Sequence, residues 1–221
     1  MTSNVTEYSD VEYVFEPHSA TLPDVREYLA ALWERRMFMT ELARADLRTA
    51  RSRTALGNLW GVLNPLFQAS IYFFLYTILR NNPKSHQFLP ILIADFFLFF
   101  LSMQAINEGG SSIKRAKGLM LNSSFPRALL PITAVYKSLK QFVPAAGVLL
   151  VMFPLVGGSF GPGFFVLPLV FAVHLMMNVG IALVVSTYVT LVPDGQNVMT
   201  FVSRILFFVT PVIYQVALLP A

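Results

Sequence analysis

Long apolar segments alternate with short polar ones through most of this sequence after residue 57. The apolar runs lie at about 59–79, 88–106, 131–155, 164–191 and 199–214. A helix crosses the hydrocarbon core of a bilayer with about 20 residues at a rise of about 1.5 Å each. In lipid, a helix satisfies all of its backbone hydrogen bonds internally. The pattern therefore predicts an all-α fold, a polytopic transmembrane helix bundle of five visible spans over residues 58–221.

The segment before the first run is amphipathic. Between residues 24 and 57, Leu29, Leu32, Trp33, Met37 and Leu42 are spaced as an apolar helical stripe, and most of the arginines lie elsewhere. Such a segment is typical of an interfacial helix, with basic side chains at the headgroups and apolar ones in the acyl boundary. We predict this helix at the cytoplasmic membrane surface, after a disordered acidic tail over residues 1–23. A nucleic-acid site is a poor alternative because no binding motif accompanies the arginines.

Charge is distributed unevenly between the two sides of the predicted membrane domain. Of the sixteen Lys and Arg residues, thirteen belong to one side, namely those between Arg26 and Arg53, those between Lys114 and Arg127, and Lys137 and Lys140. The positive-inside rule then places the N-terminus in the cytoplasm. Nothing at the N-terminus resembles a cleaved signal peptide, and a bacterial plasma (inner) membrane is the expected location.

The connection at 107–130 is the longest between two runs, and it is polar and basic. A long loop on the cytoplasmic side is a common place for a soluble partner to bind. The alternative is a passive basic anchor at the membrane surface. The candidate residues in this loop are Glu108, Lys114, Arg115, Lys117, Phe125 and Arg127.

Chemically reactive groups are scarce. The sequence has no cysteine, and we find no paired carboxylates, metal-ligand spacing, Walker loop or nucleophile elbow. We therefore predict no catalytic residue and no metal site, with the energy for any transport supplied by another protein. His174 and Asn178 stand one helical turn apart within a run. They indicate either a polar site facing the bundle interior or interhelical hydrogen bonds, the second being favoured.

Aromatic residues are abundant, with 20 Phe and 8 Tyr. Aromatic rings stack on sugar faces, and Tyr hydroxyls donate hydrogen bonds, so a carbohydrate channel is one use for them. Packing and lipid contact are the ordinary alternatives. The candidate channel-lining residues are Tyr72, Phe73, Tyr76, Phe97 and Phe100, together with His174 and Asn178.

Three stretches taken together resemble a known family. They are ELARADLRTARSRTALGNLWGVLNPLFQASIY from Glu41 to Tyr72, LNSSFPRALLP from Leu121 to Pro131, and VTPVIYQVALLP from Val209 to Pro220. In this order they are similar to the membrane subunits (permeases) of bacterial ATP-binding cassette exporters of lipid-linked polysaccharide, which include O-antigen, teichoic acid and mycobacterial galactan permeases.

The resemblance implies a homodimeric channel for a lipid-linked polysaccharide. ATP and Mg²⁺ would bind a separate nucleotide-binding ATPase subunit, and this chain would hold no cofactor. The coupling and gating residues would be Arg44, Arg48 and Arg51 with the six loop candidates. Pro211 and Tyr214 would mark a helix break on the exit side, before a sixth span that is expected from the family and absent from this chain.

Three other functions stay open from the sequence. An exporter of a drug or a lipid shares the architecture. An integral membrane enzyme acting on a lipid-linked sugar needs a cluster of acidic or histidine residues that the sequence lacks. A proton-coupled carrier would have to use Asp95 and His174, two of the few ionisable groups within the runs.

Overall fold

The structure is a computed structural model that describes residues 24–52, 55–80, 85–122, 125–155, 158–159 and 161–210. This part of the chain is built from helices and contains no strand. The α-helices are α1 (Val25–Glu34), α2 (Arg36–Ser52), α3 (Trp60–Arg80), α4 (Ser85–Arg115), α5 (Lys117–Asn122), α6 (Leu129–Leu155), α7 (Leu167–Leu191) and α8 (Gly195–Val209), with 3₁₀ turns at Gly57–Leu59 and Pro162–Val166.

Helix α4 is the centre of the bundle, where it packs against α3, α6, α7 and α8. One apolar cluster joins four of these helices, with Phe96 and Phe97 of α4 against Val62 of α3, Ala145 of α6 and Phe207 of α8. The rings of Phe96 and Phe207 are 5.4 Å apart between centroids. Because these side chains lie together out of solvent and lipid, dispersion and close packing hold the helices in register.

Three segments of the described chain are long and apolar enough to cross a membrane, at Ile91–Arg115, Leu129–Leu155 and Pro162–Leu191. Helix α3 matches the first predicted run, and α8 overlaps the fifth over residues 199–209. Large apolar side chains on α7 point away from the bundle, and Leu169, Met176 and Val184 are each more than two-thirds exposed. A lipid solvent explains such a surface, and the predicted all-α membrane bundle is confirmed.

Two glycines allow α4 and α7 to approach closely. A Cβ on Gly109 would lie 2.6 Å from Cβ of Ala182, and a Cβ on Gly110 would lie 2.8 Å from Cγ1 of Val185. Both distances are far below van der Waals contact, so only glycine fits at these two positions. Small residues at a helix crossing are a common device in membranes, where backbones associate through packing.

The connection that the sequence predicted as a loop over 107–130 is largely helical. Helix α4 continues to Arg115, and α5 follows from Lys117. Two polar side chains in this stretch bond back to their own helix: Asn107 donates to the Met103 carbonyl, and Ser112 donates to that of Gly109. The pair Gly109 and Gly110 therefore lies inside α4, where it permits contact with α7.

The predicted amphipathic helix is divided in two at Arg35. There the Arg36 guanidinium donates to the Trp33 carbonyl oxygen at 3.1 Å and lies over the Trp33 ring. A second change of direction comes at Gly57, whose φ of +48° is in the left-handed region that favours glycine. The chain turns at this residue from α2 on the outside of the bundle into α3.

Candidate functional site

Ionisable side chains meet where α4 ends and α6 begins, and we call this region the charged end: Asp46, Glu108, Lys114, Arg115 and Lys137. Nζ of Lys137 donates to Oε2 of Glu108 at 2.6 Å and lies 3.8 Å from Oδ2 of Asp46. The same Glu108 oxygen accepts from Nη2 of Arg115 at 2.9 Å. Two acidic and two basic side chains from α2, α4 and α6 thus form one connected network.

This network balances its charges where one member is shielded from solvent. The Lys137 side chain is only 12% exposed, against 36% for Glu108 and 52% for Asp46. A shielded ammonium group needs a close carboxylate, since leaving it unpaired carries a large desolvation penalty. Glu108 meets that need, which explains why a carboxylate belongs at this point of α4.

Helices α1 and α2 are attached to the start of α6 by several further contacts. Ala43 and Leu47 of α2 are buried, and α2 packs on α6. The Tyr28 hydroxyl accepts a hydrogen bond from the Ala128 backbone N–H at 3.2 Å. The rings of Phe38 and Phe125 are 5.6 Å apart between centroids. The predicted surface helix therefore has a face that docks on the bundle.

The opposite face of α1 and of the start of α2 remains open. Leu29, Trp33 and Met37, three members of the predicted apolar stripe, are each more than half exposed. An exposed stripe of this length beside a membrane bundle fits the acyl boundary of the bilayer. The two faces divide the apolar residues of this segment between lipid and protein.

The connection between α7 and α8 is tied to α4 beside the charged end. Nζ of Lys114 donates to the carbonyl oxygens of Val192 and Pro193, both at 3.1 Å. A cation at the C-terminal end of a helix satisfies its last carbonyls and opposes its dipole. Thr200 of α8 donates to Oδ1 of Asn107 at 3.3 Å. Lys114 therefore has a defined structural partner.

Other predicted coupling residues have exposed side chains. The side chains of Arg48, Lys117 and Arg127 are exposed and form no hydrogen bond or ion pair with the described residues. Arg44 is exposed and pairs with Glu41 at 2.7 Å within α2. Unpaired surface cations are available to a partner at little cost to the fold.

Inside the bundle, His174 forms the interhelical contacts that the sequence favoured. Its Nε2 is 3.2 Å from Oγ of Ser102 and 3.3 Å from the Leu98 carbonyl oxygen. Asn178, one turn further along α7, is completely buried. Neither polar atom of the Asn178 side chain has a partner among the described residues. Only His174 of this pair therefore joins α7 to α4 through a polar contact.

Replacing Asn178 with leucine, which has a similar branched shape, is expected to leave thermal stability unchanged or higher. A buried carboxamide without partners carries a desolvation penalty of about 1–3 kcal/mol, which the apolar side chain removes. Unfolding of the purified protein in detergent measures the effect, with Ser138→Ala on α6 as a control that deletes a satisfied hydroxyl. A clear loss of stability in Asn178→Leu would mean that the carboxamide is paired in the assembled protein.

A small crevice lies between α3, α4 and α6. It combines rings with amide side chains, and Oε1 of Gln104 is buried without a partner among the described residues. Two channel candidates, Phe97 and Phe100, line it, yet Phe97 is only 1% exposed and belongs mainly to the packed core. The remaining lining residues are Gly61, Leu101, Gln141 and Phe142.

Comparison with known proteins places this arrangement in a family. Residues 38–221, most of the chain, match the family described as ABC-2 type transporter. The chain belongs to this family. The resemblance of the three sequence stretches to permeases of ATP-binding cassette exporters is thereby confirmed.

Curated relatives agree with the family. An O-antigen export system permease protein RfbA from Myxococcus xanthus is 25% identical over 192 residues, which cover 84% of this chain and 71% of that protein. Two O-antigen export system permease proteins RfbA from Klebsiella pneumoniae are 23% and 22% identical over 181 residues, covering 79% of this chain and 68% of each relative. The prediction of a transport permease rather than an enzyme agrees with these relationships.

The structure brings some of the predicted site residues of this ABC-2 chain together and separates others. Glu108 and Arg115 are in contact, and Phe125 packs on α2, while Lys114 instead caps α7. Helix α8 ends at Val209, and Thr210 has the extended backbone angles that a following proline favours. The remaining predictions fall outside the described side chains, at Arg51, Tyr72, Phe73, Tyr76, Pro211 and Tyr214.

The site predictions missed Asp46 and Lys137. Lys137 lies near the start of an apolar run, and a lysine there needs a carboxylate partner, which is a signal that the sequence does contain. The sequence does not show which carboxylate serves. Asp46 and Glu108 are remote from Lys137 along the chain, and only the packing of α2 and α4 on α6 brings them to it.

Proposed function

We propose that this chain is the transmembrane subunit of an exporter that moves a lipid-linked polysaccharide across the bacterial plasma membrane. The observation that carries the proposal is the match of residues 38–221 to ABC-2 type transporters. Support comes from three relatives that are O-antigen export permeases, each aligned over 79% or more of this chain. The substrate of this chain would be a cell-envelope glycan of the same chemical class.

We propose a separate nucleotide-binding subunit as the energy source and the charged end as the region it drives. Arg48, Lys117 and Arg127 are exposed and form no hydrogen bond or ion pair with the described residues, and positive side chains are suited to a soluble partner with acidic groups. In this proposal the charged end and the N-terminus would both lie in the cytoplasm. Such an orientation agrees with the excess of basic residues on that side.

A second copy of the chain would complete the path for the substrate. Several apolar side chains of α8 are exposed, among them Phe201, Ile205 and Phe208. Polysaccharide export needs a wide path, whereas the described bundle of one subunit is packed around α4. We therefore propose that the channel forms between two copies, with aromatic side chains among its lining residues.

Purification of the tagged protein is expected to recover an ATP-binding subunit in about equal amount, with measurable ATP hydrolysis. Depletion of the protein in cells is then expected to accumulate a lipid-linked glycan on the cytoplasmic side of the membrane. Both results follow from a permease that is driven by a separate ATPase and passes one class of substrate. Mass spectrometry of the purified complex and of lipid extracts measures them.

Two contrary outcomes separate the alternatives. Recovery of the ATPase with no change in any glycan would indicate an exporter of a drug or another lipid. A stable protein without an ATPase would refute the proposal. Loss of transport in a double variant, Asp95→Asn with His174→Ala, would then be the test of a proton-coupled carrier.

A further inference from the structure

Lys137 has two acidic partners that reach it from different helices and differ in strength. The contact with Glu108 of α4 is a 2.6 Å hydrogen bond, whereas Asp46 of α2 stands at 3.8 Å. Asp46 is also the more exposed carboxylate of the two. A short, shielded ion pair is stronger than a long one in contact with water. The contact of Lys137 with Glu108 is therefore the stronger of the two, and the contact with Asp46 is the one that breaks more easily.

From this geometry we propose that Lys137 is a positioning residue that sets the place of α2 on the bundle and passes a displacement of α2 to α4. The inference rests on the proposed function, because the displacement would come from the ATPase at the charged end. Asp46 would be the side chain through which α2 pulls on Lys137. Glu108 would be the side chain through which Lys137 acts on α4.

The other contacts between the surface helices and α6 cannot replace this ion pair. Ala43 and Leu47 supply apolar burial, which is favourable and non-directional. Tyr28 and Phe38 hold α1 and the beginning of α2, and Asp46 lies at least two turns further along α2. Asp46 with Lys137 is a charged contact between this part of α2 and α6, so it acts between two defined points of the two helices.

We expect a protein without the Lys137 charge to fold. Glu108 keeps Arg115 as a partner at 2.9 Å, and Asp46 is more than half exposed, so water solvates its carboxylate. No carboxylate is therefore left buried without a cation. Substitution by glutamine preserves much of the length of the side chain and its ability to donate a hydrogen bond.

Distance measurements between spin labels test the docking of α2. The sequence contains no cysteine, so cysteines introduced at exposed Ala45 of α2 and exposed Val143 of α6 are the only labelling sites of this chain, which is labelled before the ATPase is added. A control pair at Val143 and exposed Val173 of α7 reports on the bundle alone. The full-length protein with its ATPase is measured in nanodiscs, with labelled chains diluted by unlabelled ones so that distances arise within one chain.

The variants Lys137→Gln, Lys137→Arg and Asp46→Asn are compared with Lys140→Gln. Lys140 is an exposed lysine one turn away on α6, and its ammonium group lies over the Tyr136 ring. We expect Lys137→Gln and Asp46→Asn to broaden the α2–α6 distance distribution and leave the α6–α7 distribution unchanged. We expect Lys137→Arg to restore the narrow distribution and Lys140→Gln to behave as the unmodified protein.

Export per ATP hydrolysed supplies a readout that a merely structural role would not change. We expect Lys137→Gln to lower this ratio by about fivefold or more, as for loss of a coupling interaction, and Lys137→Arg to recover most of it. An unchanged α2–α6 distribution in Lys137→Gln would overturn the docking role. A broadened distribution with a normal ratio would overturn the transmission role. Absence of any ATPase partner would refute the proposed function and the transmission with it, while the distances would still decide the docking.

Discussion

The Gly109→Ala variant is expected to lose about 1–3 kcal/mol of stability, as in other overpacked cores. A Cβ at this position would lie 2.6 Å from Cβ of Ala182 and 3.2 Å from its Cα. The second contact is with backbone, which cannot rotate away as a flexible side chain does. Helices α4 and α7 would have to separate, although alanine is otherwise the better residue in a helix interior.

Thermal unfolding in detergent, followed by size-exclusion chromatography, measures this loss. For a chain of this length we expect the midpoint to fall by about 2–10 °C. Gly180→Ala on α7 is the matched control, because a Cβ there meets nothing within 4 Å. Adding Ala182→Gly to Gly109→Ala removes the 2.6 Å contact but leaves the 3.2 Å contact with the Cα, so we expect it to recover only part of the loss. A stable Gly109→Ala protein would show that the two helices are further apart than described.

The Arg127→Ala variant is expected to export about tenfold less glycan while it assembles normally, if the side chain belongs to the coupling surface. Arg127 is exposed, and it forms no hydrogen bond or ion pair with the described residues. A substitution at such a position usually changes stability by no more than about 0.5 kcal/mol. A large loss of export would then come from contacts that Arg127 makes with another molecule. Arg127 precedes Ala128, whose backbone N–H binds Tyr28 of α1.

Export and complex formation are measured together for this variant. Membrane level, copurification of the ATPase and rate of ATP hydrolysis report on assembly, and surface glycan reports on export. Lys140→Ala is the control for loss of one exposed positive charge on the same side, and Arg127→Lys asks whether the charge alone is sufficient. Normal export by Arg127→Ala would remove Arg127 from the mechanism.

The positions of the membrane helices could be predicted closely from the sequence. The run at 131–155 became α6, from Leu129 to Leu155, and the run at 164–191 became a 3₁₀ turn followed by α7. Hydrophobicity over about 20 residues is a local property that lipid imposes on each span. The end of α4 was placed too early, because polar residues beyond Ile106 stay helical when their side chains bond to the helix itself.

The candidate site was less predictable, because its contacts join distant parts of the chain. Glu108, Arg115 and Phe125 were singled out as charged or aromatic residues of a polar segment, and each has a partner in the structure. Asp46 and Lys137 were not, since an aspartate on an amphipathic helix and a lysine near a span end are ordinary features alone. They become partners only because α2 packs on α6.

The sequence by itself determined that the protein is a helical membrane bundle with a basic side, since hydrophobic length and the distribution of Lys and Arg act segment by segment. Only the tertiary structure decided which face of each helix meets which neighbour. It placed Gly109 and Gly110 against α7 and paired Lys137 with Glu108 and Asp46. Within the membrane every span is apolar on most sides, so the composition of one helix does not specify its neighbours. Close packing between helices and the pairing of shielded charges determine which helices are neighbours.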